Sequence, residues 1–194
     1  MPCEYRSYIT IAGKKTCEYD FSQLIPQMVY FLRDKELGVE DAYDRVFDCG
    51  HRHLVKEAFN AMMQSSTPLL KEPEDINLSE VDFDWPFLMQ AIMDAHKPIQ
   101  DMFFQGHGNY LQYVDSFMAE DVMLKFAKSG YAPVLPMQDS FIMQHAFGES
   151  DELEEDMRRA FYGHFKKDIK IDYKIGVMLT SSIEENFPRQ LEYS

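Results

Sequence analysis

Polar and apolar positions alternate in the first part of the chain, which is the period of a β-strand. Residues 8–21 read as two strands around the turn sequence Ala12-Gly13-Lys14-Lys15. In the second strand one face is polar and the other apolar: Thr16, Glu18 and Asp20 against Cys17, Tyr19 and Phe21. The pattern predicts a hairpin whose second strand is half-buried.

A helical period replaces this alternation in the middle of the chain. We predict a short apolar helix at residues 24–32, where Pro26 is tolerated because it falls in the first turn. A second short helix is predicted at residues 39–47. The period is clearly helical from residue 51 to residue 64, with a buried stripe of Val55, Phe59, Met62 and Met63.

The second half of the chain combines helices with two further strand regions. A polar connection at residues 71–85 leads to a predicted helical hairpin, residues 87–104 and 110–128, which turns at Gly106-His107-Gly108. A hairpin of strands follows at residues 132–143, then an amphipathic helix at 149–165 and an alternating strand at 169–178. Because strands flank a mostly helical middle without βαβ repetition, we predict an α+β fold in which helices back an antiparallel sheet.

Composition is typical of a folded protein. Of the 194 residues, 45% are hydrophobic and 14% are aromatic, which is enough for one core. The first residues lack a signal-peptide core, and no apolar run approaches the roughly 18 residues of a membrane span. We therefore expect a soluble, cytoplasmic protein with no membrane partner. The three cysteines are far apart and give no disulfide framework.

The formal net charge of -14 disfavours unaided binding to nucleic acid, which normally requires a basic surface. Much of the excess is segregated into two acidic stretches, residues 72–84 and 151–156. Such segregation leaves room for a local positive site around Arg52, His53 and Lys56. We expect that the chain by itself holds a template only weakly.

Two acidic positions and one polar helical stripe carry the candidate chemistry. Asp20 ends the second predicted strand, and Asp139 lies at the tip of the second hairpin. The stripe recurs every four residues of the predicted helix: Arg52, Lys56, Asn60 and Gln64. On a helix such neighbours lie roughly 6 Å apart. Two carboxylates that could hold metal ions, with a cationic stripe for a triphosphate, are the minimum requirement of nucleotidyl transfer.

Each of these features alone has an ordinary structural interpretation. An aspartate after a strand is commonly a helix cap, and an aspartate in a hairpin commonly forms the turn. An Arg and a Lys four residues apart on a helix are commonly a solvated face. Their combination in one chain and in this order favours a nucleotide site.

Three short segments resemble motifs of family A DNA polymerases. Glu18-Tyr19-Asp20-Phe21-Ser22-Gln23 is similar to the first catalytic motif, in which Asp-Tyr-Ser-Gln leaves a palm strand. Arg52-x-x-x-Lys56 resembles the finger-helix motif that reaches the phosphates of the incoming nucleotide. Met137-Gln138-Asp139-Ser140-Phe141 resembles the third motif, which reads His-Asp-Glu in those enzymes and His-Asp-Ser in single-subunit phage-type RNA polymerases. The order and spacing match a compact version of that fold over roughly residues 8–178.

The resemblance implies a palm-like sheet with a reduced helical finger element. Residues 1–40 and 106–194 would form the palm-like catalytic domain, and residues 41–105 the finger-like insertion. Asp20, Asp139 and the backbone carbonyl of Phe21 would hold two Mg²⁺ (or Mn²⁺) ions, which activate the primer 3′-hydroxyl and neutralise the leaving pyrophosphate. The implied reaction is template-directed nucleotidyl transfer from a nucleoside triphosphate to a primed nucleic-acid template.

The same motifs imply roles for the polar stripe. Arg52 and Lys56 would bind the triphosphate. Asn60 and Gln64 would face the sugar and base. Glu18, two residues before Asp20 on the same strand face, is a candidate auxiliary acid.

Some positions depart from the family pattern. Gln138 replaces the usual histidine in a supporting position, and the following residue is Ser140. Ile25 stands where the DNA polymerases place a glutamate that packs against the sugar. Asn60 and Gln64 replace an aromatic residue and a tyrosine, so the choice of sugar does not follow from the resemblance. No thumb, exonuclease or template-binding extension precedes the first motif, so the resemblance leaves three alternatives: a stripped core, a fragment, or a protein that borrows those parts from a protein partner.

One alternative stays open, and the residues disfavour two others. A non-catalytic acidic module with a palm fold, bound to a protein partner in a replication complex, explains the charge and the missing parts better than an enzyme does. A metal-dependent nuclease needs more clustered acids than the two motifs supply. A zinc site at Cys49-Gly50-His51-Arg52-His53 lacks the second cluster that a tetrahedral set requires.

Overall fold

The computed structural model describes residue 6 and residues 8–38, 40–47, 50–130, 133–145 and 150–176. Within these residues the helices and strands are, in chain order, β1 (Thr10–Ile11), β2 (Lys14–Phe21), α1 (Leu24–Leu32), α2 (Arg52–Gln64), α3 (Trp85–Ala95), α4 (Gly108–Ser129), β3 (Leu135–Met137), β4 (Ser140–Gln144), α5 (Ser150–Phe165) and β5 (Ile171–Ile175). Two short 3-10 helices, Asp44–Val46 and Lys97–Met102, lie between α1 and α4.

Strand β2 is the centre of an antiparallel sheet. It pairs with β4 on one side and β5 on the other, while β3 pairs with β4 and the short β1 pairs with the start of β2. The register places Asp20 between Ser140 on β4 and Asp172 on β5. The predicted α+β class, an antiparallel sheet backed by helices, is confirmed.

The two faces of β2 divide as their alternation predicts from residue 17 onward, whereas Thr16, predicted on the polar face, is buried. The apolar face packs against helix α5, where the ring centroid of Phe21 lies 6.2 Å from that of Phe161. The Phe21 ring also contacts the neighbouring strand β4, with its centroid 6.4 Å from that of Phe141. Glu18 and Asp20 project from the opposite face and stay partly exposed. One face therefore anchors the sheet to the core, and the other presents carboxylates.

Helix α2 forms where the helical period predicts it, beginning at Arg52 rather than at residue 51. Its predicted apolar stripe is buried, together with two further residues: Leu54, Val55, Ala58, Phe59, Met62 and Met63. The last residue of α2 packs closely on the first residue of α4. A Cβ atom on Gly108 would lie 2.9 Å from the Cα of Gln64, so only glycine fits at this crossing.

Two predicted helices are shorter than expected. Of the helix predicted at residues 39–47, residue 39 lies outside the described residues, and between residues 40 and 47 only the 3-10 helix Asp44–Val46 forms. The Asp41 carboxylate accepts hydrogen bonds from the amides of Tyr43 and Asp44 and so favours a turn. The helix predicted at 87–104 ends at Ala95. Pro98 has no amide hydrogen and disfavours the helical conformation of the residue before it, so a 3-10 helix replaces the second half.

Smaller differences concern element ends. Lys14 and Lys15 belong to β2, so the first hairpin turns at Ala12 and Gly13 alone, both with positive φ. The last strand ends at Ile175, and residues 132, 177 and 178 of the predicted strands lie outside the described residues. The boundary between palm and finger regions stays a prediction. In the described part of the chain, no helix combines the length and apolarity that crossing a membrane requires.

Candidate active site

The two candidate catalytic aspartates lie on neighbouring strands at one edge of the sheet. Asp20 is the penultimate residue of β2, and Asp139 occupies the turn between β3 and β4. The register pairs Asp20 with Ser140, the residue after Asp139, and the Phe21 amide donates a 3.1 Å hydrogen bond to the Asp139 carbonyl. Gln138 precedes Asp139 with φ 59°, a left-handed conformation that tightens this turn. Local strand pairing thus brings together two acids from distant parts of the sequence.

The electrostatic surroundings of Asp20 penalise its negative charge. Burial, and then the negative charge of Asp139, raise the pKa of Asp20 to about 6, although Lys174 and Lys56 act in the opposite direction. The Lys174 ammonium lies 3.8 Å from Asp20 Oδ2. The other carboxylate oxygen of Asp20, Oδ1, is buried and has no hydrogen-bond partner among the described residues. An uncompensated carboxylate oxygen beside a second carboxylate is a setting in which a bound cation would be stabilised.

The donors available to such a cation are few. In the residues that the structure describes, no three His, Cys, Asp or Glu side chains form a metal-binding group. The set consists of Asp20 and Asp139, with the Phe21 carbonyl as a predicted third donor. Mg²⁺ is commonly held by one or two carboxylates, with water and substrate phosphates completing its shell. Two carboxylates with an unpartnered oxygen therefore fit Mg²⁺ or Mn²⁺ better than a closed structural site.

Aspartate 20 does not cap the helix that follows it. Helix α1 begins after Gln23, which has left-handed backbone angles, and no side chain caps it. The Gln23 side chain instead accepts a hydrogen bond from the Ala42 amide at 2.5 Å. The ordinary interpretation of Asp20 as a helix cap is thus wrong, because the chain makes one more turn before the helix starts.

The auxiliary residues predicted near the aspartates form one network. Glu18 accepts a hydrogen bond from Ser140 Oγ at 2.6 Å and forms an ion pair with Arg6 at 2.9 Å. Arg6 also donates to the Gln138 side chain at 3.4 Å. Glu18 is therefore ion-paired with Arg6, and the network holds in place the hairpin that presents Asp139.

Helix α2 carries the predicted nucleotide-binding stripe past this site. The exposed Lys56 lies close enough to Asp20 for its positive charge to oppose the rise in the pKa of that carboxyl. Among the described residues Lys56 forms no ion pair. Arg52, by contrast, donates to the Asp41 carboxylate from Nη2 at 2.8 Å and from Nε at 3.2 Å. The two cations of the stripe therefore differ: Lys56 is unpaired and Arg52 is held.

The other stripe residues and Ile25 have different surroundings. Asn60 is half-buried, and its side-chain oxygen has no hydrogen-bond partner. Gln64 is exposed but packs on Gly108 at the start of α4. Ile25 is partly buried against the hydrophobic core. Asn60 thus has an unused polar group, whereas Gln64 and Ile25 have clear packing roles.

The structure adds charged residues that the sequence analysis missed. Asp115 lies on the buried face of α4 between Leu111 and Met118, and burial followed by the charge of Asp139 raises its pKa to about 6. A charged residue within the apolar face of a helical period was the available signal. Lys174 on β5 also reaches Asp20. The sequence pattern predicted the strand that carries Lys174 but gave its side chain no role.

Neither a protein-family model nor a curated protein sequence matches this chain. Its fold is similar to that of the POL domain of Pol1 from M. smegmatis, solved in complex with DNA primer-template and dNTP. The TM-score is 0.53 at 13% sequence identity, and the similarity covers 87% of this chain and 40% of that domain. The chain thus spans less than half of the polymerase domain it matches. The likeness shows a polymerase-like α+β fold with a palm-like sheet.

Proposed function

We propose that this chain is a nucleotidyltransferase that extends a primed nucleic-acid template from nucleoside triphosphates with Mg²⁺ or Mn²⁺. The observation that supports it is the convergence of Asp20 and Asp139 on a polymerase-like fold, with the positive charge of Lys56 acting on Asp20. The fold alone is compatible with other functions. Paired carboxylates beside an unpaired cation supply the polar groups that nucleotidyl transfer requires.

In this proposal each residue has a distinct task. Asp20 and Asp139 hold the metal, with the Phe21 carbonyl as a further donor. Bound Mg²⁺ would supply Lewis acidity to the primer hydroxyl and to the phosphate oxygens. Lys56 and Arg52 hold the triphosphate through charge-assisted hydrogen bonds.

The remaining groups orient the site or the substrate. Glu18, Ser140 and Gln138 keep the Asp139 hairpin against β2 through the Arg6 network. Asn60, which is half-buried on α2, is assigned to the sugar and base by the resemblance alone. We assign Gln64 a place beside the sugar and base, with its packing against Gly108 of α4 kept intact. A protein partner would supply further template contacts.

The test is primer extension with purified protein. Asp20→Asn and Asp139→Asn should each lower nucleotide incorporation by at least about a hundredfold, since each removes a charge from the metal site. Asp94→Asn is the matched control, because Asp94 lies on α3 and its carboxylate accepts only from Gln90 in the described structure. Equal incorporation by wild type and both site variants would assign the signal to a contaminant.

Metal binding tests the site even if extension needs a partner. Titration with Mn²⁺, followed by electron paramagnetic resonance, should show binding that Asp20→Asn and Asp139→Asn abolish and that Asp94→Asn preserves. Wild-type protein that binds no Mn²⁺, with or without a nucleoside triphosphate, would end the proposal.

The net charge of -14 favours a second candidate, the non-catalytic acidic module. In that case the acidic surface binds a protein partner, and the α2 stripe is only a solvated helix face. Such a module would bind neither Mn²⁺ nor nucleotide, while retaining salt-sensitive binding to its partner. Measurable nucleotide binding that depends on Lys56 would exclude it.

A further inference from the structure

The guanidinium of Arg52 is held along one edge only. Its Nε and Nη2 atoms donate to the same oxygen of Asp41, at 3.2 and 2.8 Å, and Asp44 lies 3.9 Å from Nε. Among the described residues no hydrogen bond is made by Nη1. The edge formed by Nη1 and Nη2 therefore stays open, and a guanidinium edge of this kind binds phosphate through two parallel hydrogen bonds.

The plane of the same guanidinium is held by an aromatic ring. The Cζ atom of Arg52 lies 5.2 Å from the centroid of the Tyr43 ring, within the range of a cation–π contact. Tyr43 is buried and packs edge-on against Phe59 of α2. Because the ring is anchored in the core, it offers the guanidinium a rigid surface.

Asp41 is itself fixed by the backbone around it. Its second oxygen, Oδ1, accepts hydrogen bonds from the amides of Tyr43 at 2.9 Å and Asp44 at 3.1 Å. Burial alone would raise the pKa of Asp41, but the hydrogen bonds from Arg52 and these amides lower it, so the carboxylate stays ionised. Both oxygens thus have defined partners, and the Arg52 side chain is oriented by a group that cannot move freely.

The loop that carries Asp41 is tied to the aspartate strand and to α3. The Ala42 amide donates to the side chain of Gln23, three residues after Asp20. The Ala42 carbonyl accepts from Nε2 of His96, a fully buried residue whose Nδ1 accepts from the Tyr30 hydroxyl. One short loop therefore connects the end of β2 with the start of α2.

We propose that Asp41 is a positioning residue for triphosphate binding, which holds the Nε edge of Arg52 so that the opposite edge faces the phosphates. The inference rests on the proposed function. A pre-oriented arginine loses less side-chain entropy on binding than a free one. Loss of Asp41 should therefore weaken triphosphate binding by about three- to tenfold, which is the effect expected when one more side chain has to be ordered on binding.

The test is calorimetry with Mg²⁺ and a non-hydrolysable nucleoside triphosphate. Arg52→Ala and Lys56→Ala should each weaken binding strongly, whereas Asp41→Ala should weaken it about three- to tenfold. In the Arg52→Ala background, Asp41→Ala should have no further effect or should improve binding, because it then removes only a negative charge. This non-additivity separates positioning from a general structural role.

Two further variants make the outcome decisive. Asp41→Asn retains an oxygen for the Tyr43 and Asp44 amides and should lie between wild type and Asp41→Ala, even if the latter folds poorly. Asp101→Ala breaks the exposed ion pair with Arg33, which includes no residue of α2, and should leave the affinity unchanged. Equal affinity in wild type and Asp41→Ala, or the same loss in both Arg52 backgrounds, would overturn the inference. Triphosphate affinity that is unchanged in both Arg52→Ala and Lys56→Ala would instead refute the proposed function itself.

Discussion

At the scale of single residues, Asp20 combines a candidate catalytic role with a cost to stability. Its carboxylate is partly buried, lies beside Asp139, and leaves one oxygen without a hydrogen-bond partner. An acid whose pKa is higher in the folded than in the unfolded state stabilises the fold only when it is protonated. The charge that a metal site requires is therefore present at the expense of folding free energy.

This relation predicts the effect of pH on Asp20→Asn. With a folded pKa of about 6, above its usual 3.8, Asp20 favours the folded state below about pH 4, and this stabilisation is lost as the pH rises through 6. Asparagine resembles the protonated acid at every pH. At pH 7 the variant should raise the free energy of unfolding by about 1–3 kcal/mol, and near pH 4 the difference should vanish.

Urea unfolding of both proteins without divalent metal, measured between about pH 4 and pH 8, gives this difference directly. Asp168→Asn is a suitable control, because Asp168 is largely exposed and pairs with Arg158 at the surface. If Asp20→Asn is equally or less stable than wild type at pH 7, the charge of Asp20 is compensated in solution. The electrostatic argument for a cation at this position would then fail.

At the scale of elements, the close crossing of α2 and α4 fixes the end of the helix that carries the polar stripe Arg52, Lys56, Asn60 and Gln64. Gly108 begins α4 in direct contact with Gln64 at the end of α2. The backbones can approach this closely only because Gly108 has no side chain. Helix α4 also carries Asp115 close to Asp139, so one helix contacts both α2 and the aspartate hairpin.

The crossing predicts opposite effects for two glycine substitutions. Gly108→Ala would place Cβ 2.9 Å from the Cα, Cγ and Cδ atoms of Gln64 and should destabilise the fold by about 1–3 kcal/mol. Gly163→Ala in α5 meets no atom within 4 Å and should stabilise it by about 0.5–1 kcal/mol, since alanine favours helix. Thermal unfolding of both variants checks the pair. A neutral Gly108→Ala would show that the helices do not cross so closely in solution.

At the scale of the whole molecule, the excess of acidic residues opposes any nucleic-acid partner. The exposed connection between α2 and α3 contains Glu72, Glu74 and Asp75. Long-range repulsion from such charges is screened over roughly 10 Å at 0.1 M salt. A polymerase-like site on this surface would thus bind a template through local contacts, against the overall field.

Removing charge from this connection should therefore strengthen template binding. The triple variant Glu72→Gln, Glu74→Gln, Asp75→Asn should bind a primed duplex more tightly than wild type at low salt, with the gain disappearing as salt rises. Fluorescence anisotropy across a salt series measures both effects. A charge-reversed control is Lys71→Glu in the same exposed stretch, which should weaken binding. If the triple variant instead loses a basic protein partner and never binds the duplex, the acidic module is favoured.

Much of the local structure was predictable from the sequence because it depends on neighbours along the chain. Alternation predicted the half-buried β2, the 3.6-residue period predicted α2, and the turn residues predicted the hairpin that carries Asp139. The helix predicted at residues 39–47 failed because the Asp41 side chain accepts hydrogen bonds from nearby backbone amides in place of a helical carbonyl. The helix predicted at residues 87–104 failed in its second half because Pro98 interrupts the helical period. Both failures have local causes whose outcome depends on packing around them.

The sequence by itself determined the two strands, the central helix and the acidic and cationic positions worth considering, since periodicity is a property of short segments. Only the tertiary structure decided that Asp20 lies beside the Asp139 turn, that Arg52 is bound by Asp41, and that Asp115 faces the same carboxylate. These contacts join residues far apart in the chain. Strand register and the packing of a shared core select them, and no local pattern contains that information.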